Sequence, residues 1–305
     1  MQKTLDITLN NARPITELGA CATYIPELGT VDKNLLGMCV YTEDGKKYKS
    51  GDADIRFTIQ SISKIISLAV ALEVCGFDTV FKHVGMEPSG DAFNSLIQLN
   101  LHNDRPFNPM INSGALAIVS YLVPRVSFDE MIKHAKTLCM DDDITINHKV
   151  YRSEMDHIAK NKAIAYLLES NGLLECRVND CLDYYVRMCS LQVTAESLAN
   201  FALILAMDGI HPLTGERLLD CRVVQTVKTI MLTCGMYDGS GKFAVEVGIP
   251  TKSGVGGGLL SVVDKRMGIG IFGPALDEKG NSIAGQHILK ELSNEFHLHM
   301  FSKYN

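Results

Sequence analysis

Ser61-Ile-Ser-Lys-Ile-Ile-Ser-Leu-Ala-Val-Ala-Leu-Glu-Val74 reads as a helix that is apolar on nearly every side. After Lys64 no charge appears until Glu73, so no polar stripe is left to face water. A helix of this pattern is buried, not amphipathic, and the rest of the chain has to cover it. Strand signals come from both ends of the chain. On the N-terminal side, 35–41 and 46–50 flank Thr42-Glu-Asp-Gly45, and Asp-Gly between apolar or alternating runs marks a tight antiparallel hairpin. On the C-terminal side, 259–264 and 267–272 are joined by Lys265-Arg266, and 243–247 reads as a further strand. Between them the period is helical over 115–122, 128–139, 154–168, 179–189, 195–207 and 222–232. Several of these carry caps: Asn112 ahead of the first, Ser153 with Asp156 three residues on, Thr194 before Ala195, and Gly172 and Gly209 beyond helix ends. A last helix, 282–296, is expected on the sheet beside an N-terminal helix. This layout predicts an α+β fold, with an antiparallel sheet built from both chain ends and a mainly helical lobe inserted between them. We expect a single domain over 1–305, with an α/β lobe at about 1–75 and 235–305 and a helical lobe at about 76–234.

Composition narrows the function. At 305 residues and 46% hydrophobic content the chain can bury a large core, as an ordinary globular protein does. The net charge is −6 and no long block of Lys or Arg occurs, so nothing marks a nucleic-acid partner, and a small molecule is the expected substrate. The first ten residues lack the apolar core of a signal peptide and no stretch approaches membrane-spanning length, from which we expect a cytoplasmic protein with no membrane partner. The nine cysteines are an odd number and most sit inside apolar runs, as reduced core residues do. No Cys-x-x-Cys or His-x-x-x-His spacing occurs, so neither a metal nor a cofactor is expected.

Chemistry is suggested at the front of the quoted helix. Ser61 and Lys64 are three apart and share one helical face, while Lys252-Ser-Gly254 stands just before the glycine-rich Val255-Gly-Gly-Gly258. A lysine in the first turn of a buried helix loses hydration and faces the positive helix end, and both effects lower its pKa toward that of a usable base. The four residues alone also fit a helix-capping serine with a snorkelling lysine. Together with Lys-Ser-Gly they match the elements of serine acyl-transferases that carry Ser-x-x-Lys and Lys-Thr-Gly. Backbone N–H groups at Ser61 and near Val255 would form an oxyanion hole, although strand glycines equally mark a bulge. Tyr237 lies in a loop with glycines at 235, 239 and 241, a setting that presents side chains to a site. Asn112 is explained by capping alone, and Tyr185 by core packing. Glu154 and Asn161, seven apart, point the same way on one helix, though with Asp156, His157, Lys160 and Lys162 beside them a solvated face is the better explanation from spacing alone.

Taken in order, Tyr24-Ile-Pro26, Gln60-Ser-Ile-Ser-Lys64, Glu87-Pro-Ser-Gly90, Phe107-Asn-Pro-Met-Ile-Asn-Ser-Gly114, Ser153-Glu154 with Asn161, Leu182-Asp-Tyr-Tyr185, Cys234-Gly-Met-Tyr-Asp238 and Lys252-Ser-Gly-Val255 resemble the serine-dependent glutaminases, over about 20–300. The resemblance implies the β-lactamase and transpeptidase-like fold and hydrolysis of L-glutamine to glutamate and ammonia. Ser61 would be the nucleophile, Lys64 its base and Tyr237 the proton relay, with the Ser61 and Val255 N–H groups as oxyanion donors. Tyr24, Asn112, Glu154, Asn161 and Tyr185 would hold the α-amino and α-carboxylate ends of the substrate. It also implies a homodimer or homotetramer. A penicillin-recognising enzyme shares the two short motifs but acts outside the cytoplasm, and a non-catalytic protein on this fold would not need Tyr237, Glu154 and Asn161 together.

Overall fold

The computed structural model describes residues 1–90 and 105–302. Among these residues seven strands run in chain order as β1 Gly37–Thr42, β2 Lys47–Gly51, β3 Phe57–Thr58, β4 Gln192–Val193, β5 Thr251–Ser253, β6 Gly258–Val263 and β7 Met267–Phe272. Five form one antiparallel sheet in the order β2-β1-β7-β6-β5, so the sheet closes on strands from opposite ends of the chain. Alternation sorts the side chains of β1 between two cores. Met38 and Val40 join Leu5, Leu9, Ile288 and Leu292 under the helices Gln2–Ala12 and Ile283–Glu295, as the reading of a terminal helix pair expected. Cys39 and Tyr41 face the larger core, which holds the Ser63–Cys75 helix. From Ser63 to Leu72 every residue of that helix is buried, as its all-round apolarity requires.

Glycine in β7 has a packing purpose. A Cβ at Gly268 or Gly270 would overlap backbone of the helix Ala195–Ala206, which therefore lies directly on the strand, while Ile269 and Ile271 fill the opposite face. Thr194 caps that helix by accepting from the Ser197 N–H at 3.1 Å.

Four local expectations are corrected. Residues 243–247 are not a strand but the end of the helix Ser240–Glu246 and its cap residue Val247: Phe243 and Val247 are buried four residues apart, while Val245 is 79% exposed. Their apparent alternation followed from where the three residues fell, not from a pleat. The helix expected over 154–168 is two, His148–Asp156 and Ala159–Ser170, interrupted at His157 and Ile158. Asn147 caps the first, accepting from the Lys149 and Val150 N–H groups at 3.1 Å each. Ser153 is therefore mid-helix, and its Oγ accepts instead from the Glu27 N–H at 3.2 Å. Asn112 caps nothing either. It is the first residue of the helix Asn112–Leu122, the cap position is Ile111, and the amide side chain is used elsewhere.

Candidate active site

Short strand β3 pairs with β4, and the stacked rings of Phe57 and Phe272, 4.3 Å between centres, pin it to the main sheet. The chain then turns sharply at Gln60, which is buried with φ of 48°, a left-handed conformation that glutamine adopts only under constraint. A 3-10 turn over Gln60–Ile62 runs straight into the Ser63–Cys75 helix. In 3-10 geometry residues three apart eclipse, so the Ser61–Lys64 spacing is kept across the junction. The opposite wall is the loop after β5. A Cβ on Gly254 would lie 2.7 Å from the Ile59 carbonyl oxygen, and one on Gly256 would overlap the Thr58 carbonyl. Both glycines thus let the backbone around Val255 close on the backbone that carries Ser61.

Lys64 is 2% exposed, and its Nζ donates to the Met110 carbonyl at 2.9 Å and to Asn112 Oδ1 at 2.8 Å. Burial pulls its pKa down to about 8, against smaller opposing effects of Cys189 and Glu154. Asn112 is a junction. Its Oδ1 also accepts from the Tyr185 hydroxyl at 3.4 Å, and its Nδ2 donates to Asn161 Oδ1 at 3.0 Å. Glu154 is 8% exposed, and burial raises its carboxyl to about 7 against the pull of Gln60 and Lys64. Tyr185 is raised well above an ordinary phenol by burial. Tyr237 sits on a 3-10 turn, Tyr237–Gly239, with φ of 53°; burial raises its phenol, while Ser61, Ser253 and the Val255 N–H act to lower it. Tyr24 is 54% exposed, yet its hydroxyl end is buried and close enough to Tyr237, Glu154 and Cys189 for burial and these three neighbours to raise it well above its usual value.

A cavity of about 310 Å³ brings Tyr24, Ser61, Asn112, Glu154, Asn161, Tyr185 and Val255 to one wall-to-wall site. Lys64 lies beneath it and Tyr237 at its side. All nine residues singled out by sequence are gathered here, from segments that span residues 24 to 255. Glu154 and Asn161 do so from different helices, His148–Asp156 and Ala159–Ser170, not from one shared face. Three residues beyond that set belong to the site. Gln60 Nε2 donates to Glu154 Oε2 at 3.5 Å, Ser253 approaches the Tyr237 phenol, and the Lys252 Nζ lies 4.5 Å from the centre of the Tyr237 ring. Gln60 directly precedes Ser-x-x-Lys and the other two lie in Lys-Ser-Gly, and that position was the available signal.

The surroundings permit a specific chemistry. A serine hydroxyl one turn from a dehydrated amine has the elements of a nucleophile with its base, and paired amides, phenols and one buried carboxylate suit a zwitterionic amino acid. No helix among the described residues is long and apolar enough to cross a membrane.

Comparison with known proteins agrees with the geometry. The glutaminase family model matches residues 19–301. Glutaminase 2 of Clostridium perfringens is 48% identical over 305 residues, 99% of this chain and the whole of the relative, and a Clostridium botulinum glutaminase is equally similar over the same span. A probable glutaminase from Bacillus subtilis, solved in complex with 6-diazo-5-oxo-L-norleucine, superposes with a TM-score of 0.89 at 38% identity, over 98% of this chain and 97% of that one. Another structure of Bacillus subtilis glutaminase, a covalent complex formed by reaction with the same diazo compound, matches with a TM-score of 0.89 at 39% identity, over 98% and 99% of the two chains. With a family match that spans nearly the whole chain and relatives identical at almost half of all positions, the chain belongs to the glutaminase family.

Proposed function

We propose that the protein hydrolyses L-glutamine to L-glutamate and ammonia through an ester formed on Ser61. The observation that carries this reading is Lys64, fully dehydrated beneath the cavity floor, with two hydrogen bonds made and a pKa drawn down to about 8. As a neutral amine it takes the Ser61 proton while Oγ attacks the side-chain carbonyl of glutamine. The developing oxyanion is held by the Ser61 and Val255 N–H groups, which the glycines at 254 and 256 allow to approach one another. The C–N bond then breaks. Tyr237 passes the proton from Lys64 to the leaving nitrogen, and ammonia departs. Water attacks the glutamyl ester by the reverse proton path, releasing glutamate and restoring Ser61 and Lys64.

At the other end of the substrate, Glu154 receives the α-ammonium. The cluster of Asn112, Asn161, Tyr24 and Tyr185 holds the α-carboxylate end, with Asn112 linking this cluster to Lys64. Substitution tests the nucleophile. Ser61→Ala is expected to abolish ammonia release from glutamine with the fold unchanged by circular dichroism. Ser63→Ala, whose hydroxyl points to Cys189 Sγ at 3.9 Å, is expected to keep it. The reverse result would transfer the role to Ser63 and sink the assignment.

A further inference from the structure

Two cysteines meet where the helix Val178–Cys189 begins. Cys176 stands just ahead of the cap position, Arg177, and Cys181 is the fourth residue of the helix. These are the two positions whose side chains fold onto one another across a helix start, commonly as an apolar pair. Here both are thiols, in contact with each other and packed on the larger core. Arg177 supplies no side-chain cap, and its guanidinium pairs instead with Asp180 at 2.7 Å. The sulfur contact is therefore a main tie between the incoming chain and the first turn.

The two thiols are unequal. Cys181 is buried, and its Sγ donates to the Leu116 carbonyl at 3.3 Å. Cys176 is half-buried between the exposed Glu175 and Arg177, so a small oxidant reaches it first. The hydrogen bond with Cys181 lowers the Cys176 thiol, against burial and the carboxylates of Asp180 and Glu175; the same contact and burial raise Cys181. An accessible, acidified thiol with a second thiol behind it is the arrangement that yields a disulfide and not a higher acid.

The pair lies one helical turn from the substrate cavity. Cys181 and Tyr185 are four apart on their helix, and Asn112 and Leu116 are four apart on the helix Asn112–Leu122. Cys181 donates to Leu116 and Tyr185 to Asn112, so two successive rungs join the helices, and Tyr185 lines the cavity. A disulfide has no S–H, so its formation removes the first rung. The second, at 3.4 Å, is already near the length at which a hydrogen bond is lost.

We propose that Cys176 and Cys181 are a modification site, a thiol pair that a hydroperoxide converts to a disulfide, and that the disulfide weakens glutamine binding through Tyr185. The Cys176 thiolate attacks one peroxide oxygen and the O–O bond breaks. The other oxygen takes up the proton lost by the thiol and leaves as water or an alcohol. The Cys181 sulfur then attacks the sulfenic sulfur, the S–S bond forms, and the hydroxyl leaves with the Cys181 proton as water. In all, the two thiols give up two electrons and two protons, which a dithiol returns by exchange. The effect on binding rests on the reading of Tyr185 and Asn112 as holders of the substrate; the disulfide itself does not.

The test uses reduced full-length protein carrying Cys221→Ser, which removes the exposed thiol. After hydrogen peroxide and alkylation, trypsin cuts behind Lys162, Arg177 and Arg187 and so separates the two cysteines. The expected product is peptide 163–177 joined to peptide 178–187, lost on treatment with dithiothreitol. In the joined enzyme KM for glutamine is expected to rise roughly three- to tenfold, the loss of one neutral hydrogen bond, with kcat nearly kept and dithiothreitol restoring both. Cys176→Ser in the same background is expected to keep its KM under peroxide. Absence of the joined peptide, with Cys176 left as a thiol or carried on to a sulfinic acid, overturns the site. A joined peptide with unchanged KM, or an equal rise in Cys176→Ser, overturns its coupling to binding. Tyr185→Phe keeps the two failures apart: an unchanged KM there would remove the reading of Tyr185 while the joined peptide stood.

Discussion

Glu154→Gln separates recognition of glutamine from its chemistry. The carboxyl is 8% exposed and is raised to about 7 from an ordinary 4.5, burial being the chief cause. The amide keeps shape and the contact with Gln60 but loses the charge that would meet the substrate's α-ammonium. A charge-assisted hydrogen bond contributes about 1.5–3 kcal/mol, which predicts a loss of about 12- to 150-fold in kcat/KM. Because the ammonium is remote from the scissile amide, part of the loss is expected in kcat through a misplaced carbonyl. Steady-state kinetics on glutamine beside its des-amino analogue 4-carbamoylbutanoate isolate the effect: wild type prefers glutamine strongly, and the variant loses most of that preference. A pH profile supplies an independent sign. Wild type needs Glu154 and Lys64 both deprotonated, so kcat/KM rises with pH through about 7 and about 8. The variant has no carboxyl to titrate, and Lys64, freed from a carboxylate that raises its pKa, titrates lower, so the limb moves toward acid. Stability should move the opposite way from activity. An acid whose folded pKa lies above its unfolded value weakens the fold once pH exceeds the unfolded pKa, so at pH 8 the empty variant gains on the order of 3 kcal/mol, read as a higher Tm. A variant that discriminates the two substrates as sharply as wild type would refute the reasoning and reverse the orientation of the bound amino acid.

Further outcomes follow from the same geometry. Lys64→Arg is expected to fall nearly to the level of Lys64→Ala, since arginine stays protonated and cannot accept the Ser61 proton; wild-type-like turnover would make Lys64 structural. Asn112→Ala removes one of two acceptors from Lys64 and the partner of both Asn161 and Tyr185, so kcat should fall and KM rise together; a change in KM alone would place Asn112 in binding only. Gly270→Ala drives a methyl into the Ala195 carbonyl oxygen and should destabilise the fold by about 3 kcal/mol, with kcat/KM per folded molecule retained. An unchanged Tm in that variant would show that the Ala195–Ala206 helix can shift away from β7.

What the chain discloses depends on the kind of order involved. Period and punctuation are local, so the buried Ser63–Cys75 helix, the hairpin at Asp44-Gly45 and the strands around Lys265-Arg266 are legible. The run 243–247 misleads because Phe243, Val245 and Val247 satisfy a period of two, and only the packing of Phe243 and Val247 against the sheet exposes the period of four. Gln60 is illegible for a different reason. Nothing about glutamine announces a left-handed φ; that conformation is imposed by β3 on one side and the Ser63–Cys75 helix on the other. The same holds for Lys252, visible as part of a motif, whose partner, the face of the Tyr237 ring, exists only after β5 and the Tyr237–Gly239 turn have met.

Glu154 and Asn161 show how a correct pairing can arise without the geometry that suggested it. Two residues seven apart on a continuous helix would lie about 10 Å apart along its axis, too far to hold opposite ends of one amino acid's backbone. The interruption at His157 and Ile158 removes that constraint. It lets Glu154 leave the last turn of one helix toward Gln60, while Asn161 enters from the first turn of the next to meet Asn112. Glu154 is then buried and Asn161 half-buried, where the charged neighbours Asp156, Lys160 and Lys162 suggest a solvated face. The buried, raised carboxyl and the amide pair follow from the break itself. Restoring one straight helix through residues 157 and 158 would move Asn161 away from Asn112 and leave Lys64 with a partner no longer anchored at its other end.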